Sequence, residues 1–426
     1  MFALYQALLW AVFLLLLPWF GIVGFLRGKY WSSFRERMGL GTGPAGRRDV
    51  WIQAVSVGEV TAARALVEHL RERRPDLSLV LTTTTATGQA LAHRFFPADA
   101  VAYFPFDFTY SVERFLERHQ PRVFVAIETE IWPNAARLAK RSGARVAIVN
   151  GRISDRSFGR YRAIRLFLRR VLAYYDMFLV RSAEDGTRYA AIGAAAHKIE
   201  VTGNLKFDLT DLVKGEGDAA NEALRLADGR PILVLGSTME GEDEALLQEL
   251  SRLASLGVFT VIAPRKPQRF EVVAGLLATS GLSWGRRTEA AKDQKVDVFL
   301  LDSIGELAGV YGVAKAAFVG GSLVARGGHN PIEPIGAGAP VAFGPHMSNF
   351  RGIAEAFLSA GAATRIKTPE ELTQFVERML VDESLRLEMI ERGRRVVVEN
   401  RGAAERIAAK LLELLAAAER EGAGRS

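Results

Sequence analysis

The sequence predicts an α/β protein built from two doubly wound parallel-sheet domains in tandem, preceded by one apolar helix. Three observations carry this. Apolar, β-rich runs alternate with helical patterns along most of the chain, as in parallel sheets covered on both faces. The alternation is interrupted once, by the polar segment 209–229, and then restarts. The first charged residue of the chain is Arg27.

The N-terminal element, 1–26, is FALYQALLWAVFLLLLPWFGIVGFL after the initial Met. At 1.5 Å per residue it is long enough for a bilayer core of about 30 Å. Trp10, Trp19 and Tyr30 or Trp31 are expected near interfaces. Arg27, Lys29, Arg35 and Arg37 follow and place the remaining chain on the cytoplasmic side. Pro18 and the lone Gln6 leave an alternative, a hydrophobic helix lying in one leaflet. GTGPAG (Gly41 to Gly46) has dinucleotide-loop spacing but precedes a strand instead of following one, so it reads as a linker.

The first domain, 27–208, has strand-like runs at 50–55, 78–84, 123–127, 145–149, 176–180 and 199–202. Segment 209–229 is poor in strand formers and is expected to be the linker. The second domain, 230–400, repeats the pattern at Arg230–Gly236, Val258–Pro264, Val296–Asp302, Lys315–Gly321 and Ala339–Gly344. Helices are expected from Glu370 to Glu421, with 401–426 as a C-terminal helix. Such folds bind ligands at the carboxyl ends of their strands, here in a cleft between the domains.

Apolar residues make up 49% of the chain and charged residues 24%, enough for ordinary cores. The absence of cysteine excludes disulfides and thiolate chemistry. Lys plus Arg exceed Asp plus Glu by 55 − 48 = 7, which points to an acidic partner. No basic tail interleaved with aromatics supports nucleic acid, so anionic lipid is the better match. No Asp-x-Asp pair or His-rich spacing suggests a metal.

The candidate chemistry lies at predicted strand ends. SVGEV puts Glu59 in the first turn of a helix, where an acid also compensates the helix dipole. IETEIWPN carries Glu128 and Glu130, two carboxylates leaving an apolar strand. NGRIS reads as an ordinary turn, and TGNLKFD places Lys206 beside the domain boundary. In GSTMEGEDE, Ser237 and Glu240 are spaced as a capping box whose N–H groups could hold a phosphate. APRKPQRF offers Arg265, Lys266 and Arg269 as an anion grip. GGSLVARGGHNPIEPIGAGAPVAFGPHMSNF combines glycines with His329, Asn330 and Glu333. Here Asn330 suits an N-cap, Pro331 the first helical position and Glu333 the third, and the turn suits an anion.

Taken in order, SVGEV, ETEIWPN, TGNLKFD, PRKPQRF and the glycine-rich segment resemble the 3-deoxy-D-manno-octulosonic acid (Kdo) transferases of lipopolysaccharide assembly, over essentially the whole chain. The resemblance implies an inverting glycosyltransferase with two Rossmann-like domains facing a cleft (GT-B type). It would move Kdo from CMP-Kdo to the lipid A precursor at the cytoplasmic side of the inner membrane. Glu59 would be the general base, with Glu130, chosen over Glu128, and Lys206 stabilising the transition state. The CMP site would comprise Pro264, Arg265, Gly305, Glu306, Leu307, Asn330, Pro331, Ile332 and Glu333. No cofactor, metal, nucleic acid or obligate protein partner is implied. One departure is Lys266, where the family commonly has His. The competing readings are another nucleotide-sugar enzyme, such as a UDP-sugar transferase or an epimerase, and a tethered nucleotide-binding module.

Overall fold

In a computed structural model, backbone is described for residues 1–27, 31–41, 45–97, 100–208, 217–289 and 295–423, and side chains outside 19–32 and 422–426. The chain forms two compact units. The first comprises Met1–Asp208 with Arg401–Ser426, and the second Leu209–Asn400.

The first unit holds a seven-stranded sheet in the order β3-β2-β1-β4-β5-β6-β7. Its strands are β1 (Val50–Gln53), β2 (Leu79–Thr83), β3 (Val101–Tyr103), β4 (Val123–Ile127), β5 (Arg145–Gly151), β6 (Met177–Val180) and β7 (Ile199–Val201). All pairings are parallel. β1 and β4 are buried along their whole length, which explains why they read as continuous apolar runs without alternation. Trp51 centres the core, its ring 4.1 Å from Phe124 and 4.5 Å from Phe115, and its indole N–H bonds Thr82 at 2.8 Å.

The second unit has a parallel seven-stranded sheet ordered β10-β11-β9-β8-β12-β13-β14. Its strands are β8 (Ile232–Thr238), β9 (Phe259–Pro264), β10 (Trp284–Arg286), β11 (Val298–Leu300), β12 (Ala316–Val319), β13 (Val341–Phe343) and β14 (Ala363–Arg365). In both sheets the order reverses direction beside the unit's first strand: between β1 and β4, and between β8 and β12. Such switch points open a crevice at the carboxyl ends of the strands.

Several expectations need correction. Segment 209–229 is not a plain linker: Asp218–Ala227 is a helix that buries Ala219, Ala220, Ala223, Leu226 and Ala227 in the second unit, and 209–216 lies outside the described residues. Within 218–227 strand formers are missing because this part is helical and alanine-rich. The last helix, Ala403–Ala423, packs on Val57–Arg73 and belongs to the first unit. Asp208 fixes its start, accepting the Gly402 and Ala404 N–H groups at 2.7 Å each. Arg73–Glu405 and Arg74–Glu419 ion pairs lie along it.

The N-terminal helix runs Phe2–Arg27 with Pro18 inside it. Among the described residues no helix is long and apolar enough to cross a membrane. Trp10, 38% exposed, stacks on Phe108 at 4.4 Å. The side chains of Trp19, Arg27, Lys29, Tyr30 and Trp31 lie outside the described set. Arg37 is not a free juxtamembrane charge either: it covers the Tyr103 ring at 4.4 Å and donates to the Thr84 carbonyl.

Candidate active site

In the first unit the switch point gathers acids. Strand β1 ends at Gln53, the chain turns, and the helix Val57–Arg73 carries Glu59 in its first turn. Glu59 is buried, at 9% exposure. It accepts hydrogen bonds from the Val55 N–H at 2.7 Å and the Ser56 hydroxyl at 2.9 Å. Burial pushes its carboxyl up to about 8, and the charges of Glu128 and Glu130 add to that rise against those two hydrogen bonds. A carboxyl placed there can exchange its proton near neutral pH.

Glu128 and Glu130 follow β4, but not in extended chain. Glu128 sits at φ +64, in the left-handed region, which breaks the strand before Glu130. The turn is locked by the Tyr189 hydroxyl on the Glu128 carbonyl at 3.2 Å and by the Thr129 hydroxyl on the Arg152 carbonyl. Glu128 pairs with Arg181 and stands 4.0 Å from the Lys206 Nζ. Those cations and Arg152 overcome its burial and hold it below the usual carboxylate range. Glu130 has no such cation: burial raises it to about 7, with Glu128 adding and the Trp132 indole opposing.

Lys206 is drawn down to about 8, chiefly by burial, with Glu128 opposing and Arg181 and Arg152 assisting. Glu59, Glu130 and Lys206 therefore belong to one electrostatic cluster, completed by Glu128, Arg181 and Arg152. Arg181 and Arg152 were missed by sequence reasoning. Arg152 lies in NGRIS, taken for an ordinary turn, and Arg181 follows β6. Both occupy strand ends, which is the signal that could have found them. Asn150, at φ +54, links the set by accepting from the Arg181 Nε (3.2 Å, on its carbonyl) and the Leu205 N–H (3.1 Å, on its side chain).

In the second unit, the ends of β8, β9 and β12 converge. Pro264 closes β9, and the Arg265 N–H bonds the Thr238 carbonyl at 2.9 Å. Arg265 acts electrostatically on both His329 and Glu333, so these three predicted residues share one site. His329 donates from Nδ1 to the Gly320 carbonyl at 2.8 Å, and burial lowers its basicity. That bond makes it a neutral strut of the loop. Asn330 accepts from the Ile332 N–H at 3.1 Å and donates to Glu333 at 3.1 Å. The helix begins at Ile332, one residue later than the Asn-Pro capping pattern predicts, and ends at Gly336.

The glycine turn is not an open anion nest. Glu242, fully buried, accepts from Gly321 N at 2.6 Å, Ser322 N and Leu323 N at 2.8 Å each, and Met239 N at 3.1 Å. One carboxylate thus welds the turn after β8 to the turn after β12. Gly320 has no room for a Cβ, which would lie 2.4 Å from the Ser237 carbonyl oxygen. The predicted Ser237–Glu240 capping box is replaced by Gly241, whose N–H bonds Glu244 at 2.7 Å, ahead of the helix Glu242–Ser255. Ser237 itself belongs to β8, at φ +58.

Arg269 is withdrawn from the proposed anion grip, since it pairs with Asp243 and Glu244 at 2.7 Å each. Glu306 likewise spends its carboxylate on Arg287 at 2.9 Å and on the Ser303 hydroxyl, leaving the backbone of Gly305 and Leu307 as what that segment presents. Among the described residues no group of three His, Cys, Asp or Glu could hold a metal ion.

Known proteins with this architecture include a UDP-GlcNAc 2-epimerase from Neisseria meningitidis bound to UDP-GlcNAc. It has TM-score 0.59 and 13% identity, covering 86% of this chain and 100% of that one. The calicheamicin glycosyltransferase CalG4 matches with TM-score 0.54 and 14% identity, covering 87% and 98%. These share the fold alone. Sequence relatives say more. Residues 32–209 match the family described as 3-deoxy-D-manno-octulosonic-acid transferase (kdotransferase). The chain is 37% identical to the 3-deoxy-D-manno-octulosonic acid transferase of Bordetella pertussis, over 84% of this chain and 85% of that protein. It is 34% identical to the Haemophilus influenzae enzyme of the same name, over 94% and 95%. With two Rossmann-like units, acids gathered at one switch point and such relatives along most of its length, the chain belongs to the 3-deoxy-D-manno-octulosonic acid transferases and is a glycosyltransferase.

Proposed function

We propose that this transferase moves Kdo from CMP-Kdo to a lipid A precursor, with inversion, at the cytoplasmic face of the inner membrane. The observation that carries the chemistry is Glu59, a buried carboxyl raised to about 8 and surrounded by Glu128, Glu130 and Lys206. In the step, an acceptor hydroxyl oxygen bonds to the anomeric carbon of Kdo while the bond from that carbon to the CMP phosphate oxygen breaks. The hydroxyl proton passes to ionised Glu59, and CMP leaves with the electron pair. A single base suffices for inversion by direct displacement.

Lys206 supplies positive charge beside the reacting centre, and Glu130 is the second group that stabilises the transition state. Arg265, the backbone at Gly305 to Leu307 and the Asn330 to Glu333 turn take the nucleotide, with Pro264 fixing the strand end. Glu333 suits a ribose hydroxyl. Lys266 retains a cation where the family commonly has His.

The test is incubation with lipid A precursor and a CMP-Kdo generating system, followed by mass analysis of the lipid. A mass increase of one or more Kdo units is expected, and its absence overturns the proposal. Titration with CMP and UDP separates this reading from a UDP-sugar enzyme, because CMP alone should bind tightly.

A further inference from the structure

Strand β5 breaks its register with β6 between Ile148, opposite Phe178, and Gly151, opposite Val180. Three steps on one strand (148 to 151) thus face two on the other (178 to 180), which inserts one residue. Such bulges are rare in parallel pairs, and beside active sites they re-aim a side chain. This one carries Asn150, fully buried and in the left-handed region at φ +54. Glycine takes that conformation with less strain, and an apolar side chain would suit the burial better. Asparagine stands here although its Nδ2, shielded from water, has no hydrogen-bond partner among the described residues. A buried amide left half satisfied costs stability, so the position is not optimised for folding.

The other polar atoms of Asn150 join separate segments of the site. Its carbonyl accepts the Arg181 Nε at 3.2 Å, and Arg181, after β6, pairs with Glu128, after β4. Its side-chain oxygen accepts the Leu205 N–H at 3.1 Å. Leu205 opens a single turn of 3₁₀ helix over 205–208, where the first N–H has no acceptor inside the turn, so Asn150 supplies one. Lys206 is the next residue and lies in that turn, not in a strand or a long helix. Its Nζ stands 4.0 Å from the same Glu128. Both members of the Glu128–Lys206 pair are therefore tethered to one residue, Glu128 through Arg181 and Lys206 through Leu205. Gly151 completes the arrangement. A Cβ there would lie 3.1 Å from Tyr189, whose hydroxyl holds the Glu128 carbonyl.

We infer that Asn150 is a positioning residue for the transfer reaction, fixing the Lys206 ammonium against Glu128 through the Leu205 backbone. The inference rests on the part given to Lys206 in the proposed function, and Asn150 acts only through other residues. Two of its properties are needed at once. One is the left-handed backbone that presents its carbonyl to Arg181, and the other is a side-chain acceptor that reaches the Leu205 N–H. Glycine supplies the first alone, and aspartate would add a charge beside Lys206.

Asn150→Gly tests this, because it keeps the backbone conformation and removes the side-chain acceptor. Lys206 is held at about 8 chiefly by burial, with Glu128 and Glu59 opposing and Arg181 and Arg152 assisting. In Asn150→Gly the turn should loosen, water should reach the ammonium, and its midpoint should rise by about a unit or more. That is read in the full-length protein by NMR titration of isotope-labelled lysine, the Lys206 signal being identified by its loss in Lys206→Arg. A role in stability alone would lower the thermal midpoint and leave the titration where it is, and that result overturns the inference. Turnover should fall about tenfold to a hundredfold with KM for CMP-Kdo unchanged. In a Lys206→Ala background Asn150→Gly should cost nothing more, whereas additive losses overturn the route through Lys206. A shifted titration with full turnover would instead remove Lys206 from the chemistry and leave its positioning intact. Should the variant not fold, hydrogen exchange in the unaltered protein decides. The Leu205 amide is expected to be slowed at least about a hundredfold, and free exchange overturns the inference.

Discussion

Each unit places a glutamate in the first turn of the helix after its opening strand, and the two have opposite fates. Glu59, after β1, receives one backbone N–H and one hydroxyl and faces two other acids. Glu242, after β8, is also buried and also raised by burial, but four backbone N–H groups converge on it. The same position in the same topology thus yields a carboxyl that can exchange its proton near neutral pH in one unit and a fastener in the other. The number of fixed donors decides which. A carboxylate surrounded by donors is spent on structure, whereas one left short of them keeps an affinity for protons.

This contrast can be broken most forcefully at Glu59. Glu59→Gln should lower turnover by on the order of 10²–10⁴-fold while CMP affinity holds, read by single-turnover kinetics and nucleotide titration. Stability should move the other way. A carboxyl raised to about 8 from an ordinary 4.5 favours the folded state fully below the unfolded value and loses that contribution as pH climbs toward 8. Removing the charge should therefore raise the thermal midpoint at pH 8, by roughly 2–4 °C per kcal/mol recovered.

Glu242→Ala should do the reverse. It strands four buried N–H groups and should cost about 3 kcal/mol or more, measured by denaturant midpoint, with weakened CMP binding as the loops part. Equal signs for the two substitutions would erase the distinction drawn here.

Smaller effects sharpen it. Glu59 must be ionised and Lys206 protonated, so the rate should rise with pH as Glu59 loses its proton and fall as Lys206 loses its own. Both limbs lie near 8, giving a narrow bell whose apparent values belong to the coupled cluster. Lys206→Arg should remove the alkaline limb and keep the acid one. The smallest effect is expected from Glu128→Gln. It removes a like charge from Glu59 and an opposite charge from Lys206, so both limbs should move to lower pH, by about a unit or less.

Much of the fold was legible because central parallel strands are buried on both faces and read as apolar runs. The strands missed, β3, β10 and β14, have three residues each and lie at sheet edges, where so short a run has no pattern. Glu59, Glu130, Lys206 and Arg265 could be singled out because strand-end motifs mark them. The role of Glu242 was not, because its partners Gly321, Ser322 and Leu323 lie about eighty residues away. The turn at Glu128 was not legible for a local reason: a non-glycine residue in the left-handed region leaves no trace in composition. Arg269 and Glu306 were overvalued because sequence does not show that a charge is already paired.

The return of the last helix to the first unit has a consequence for biosynthesis. As the chain emerges from the ribosome, Met1–Asp208 appears first but lacks Ala403–Ala423, against which Val57–Arg73 packs. The later unit, contiguous from Leu209 to Asn400, is complete before the earlier one. Maturation therefore runs against the direction of synthesis, and the unit that carries Glu59 becomes whole only once the second unit has been made.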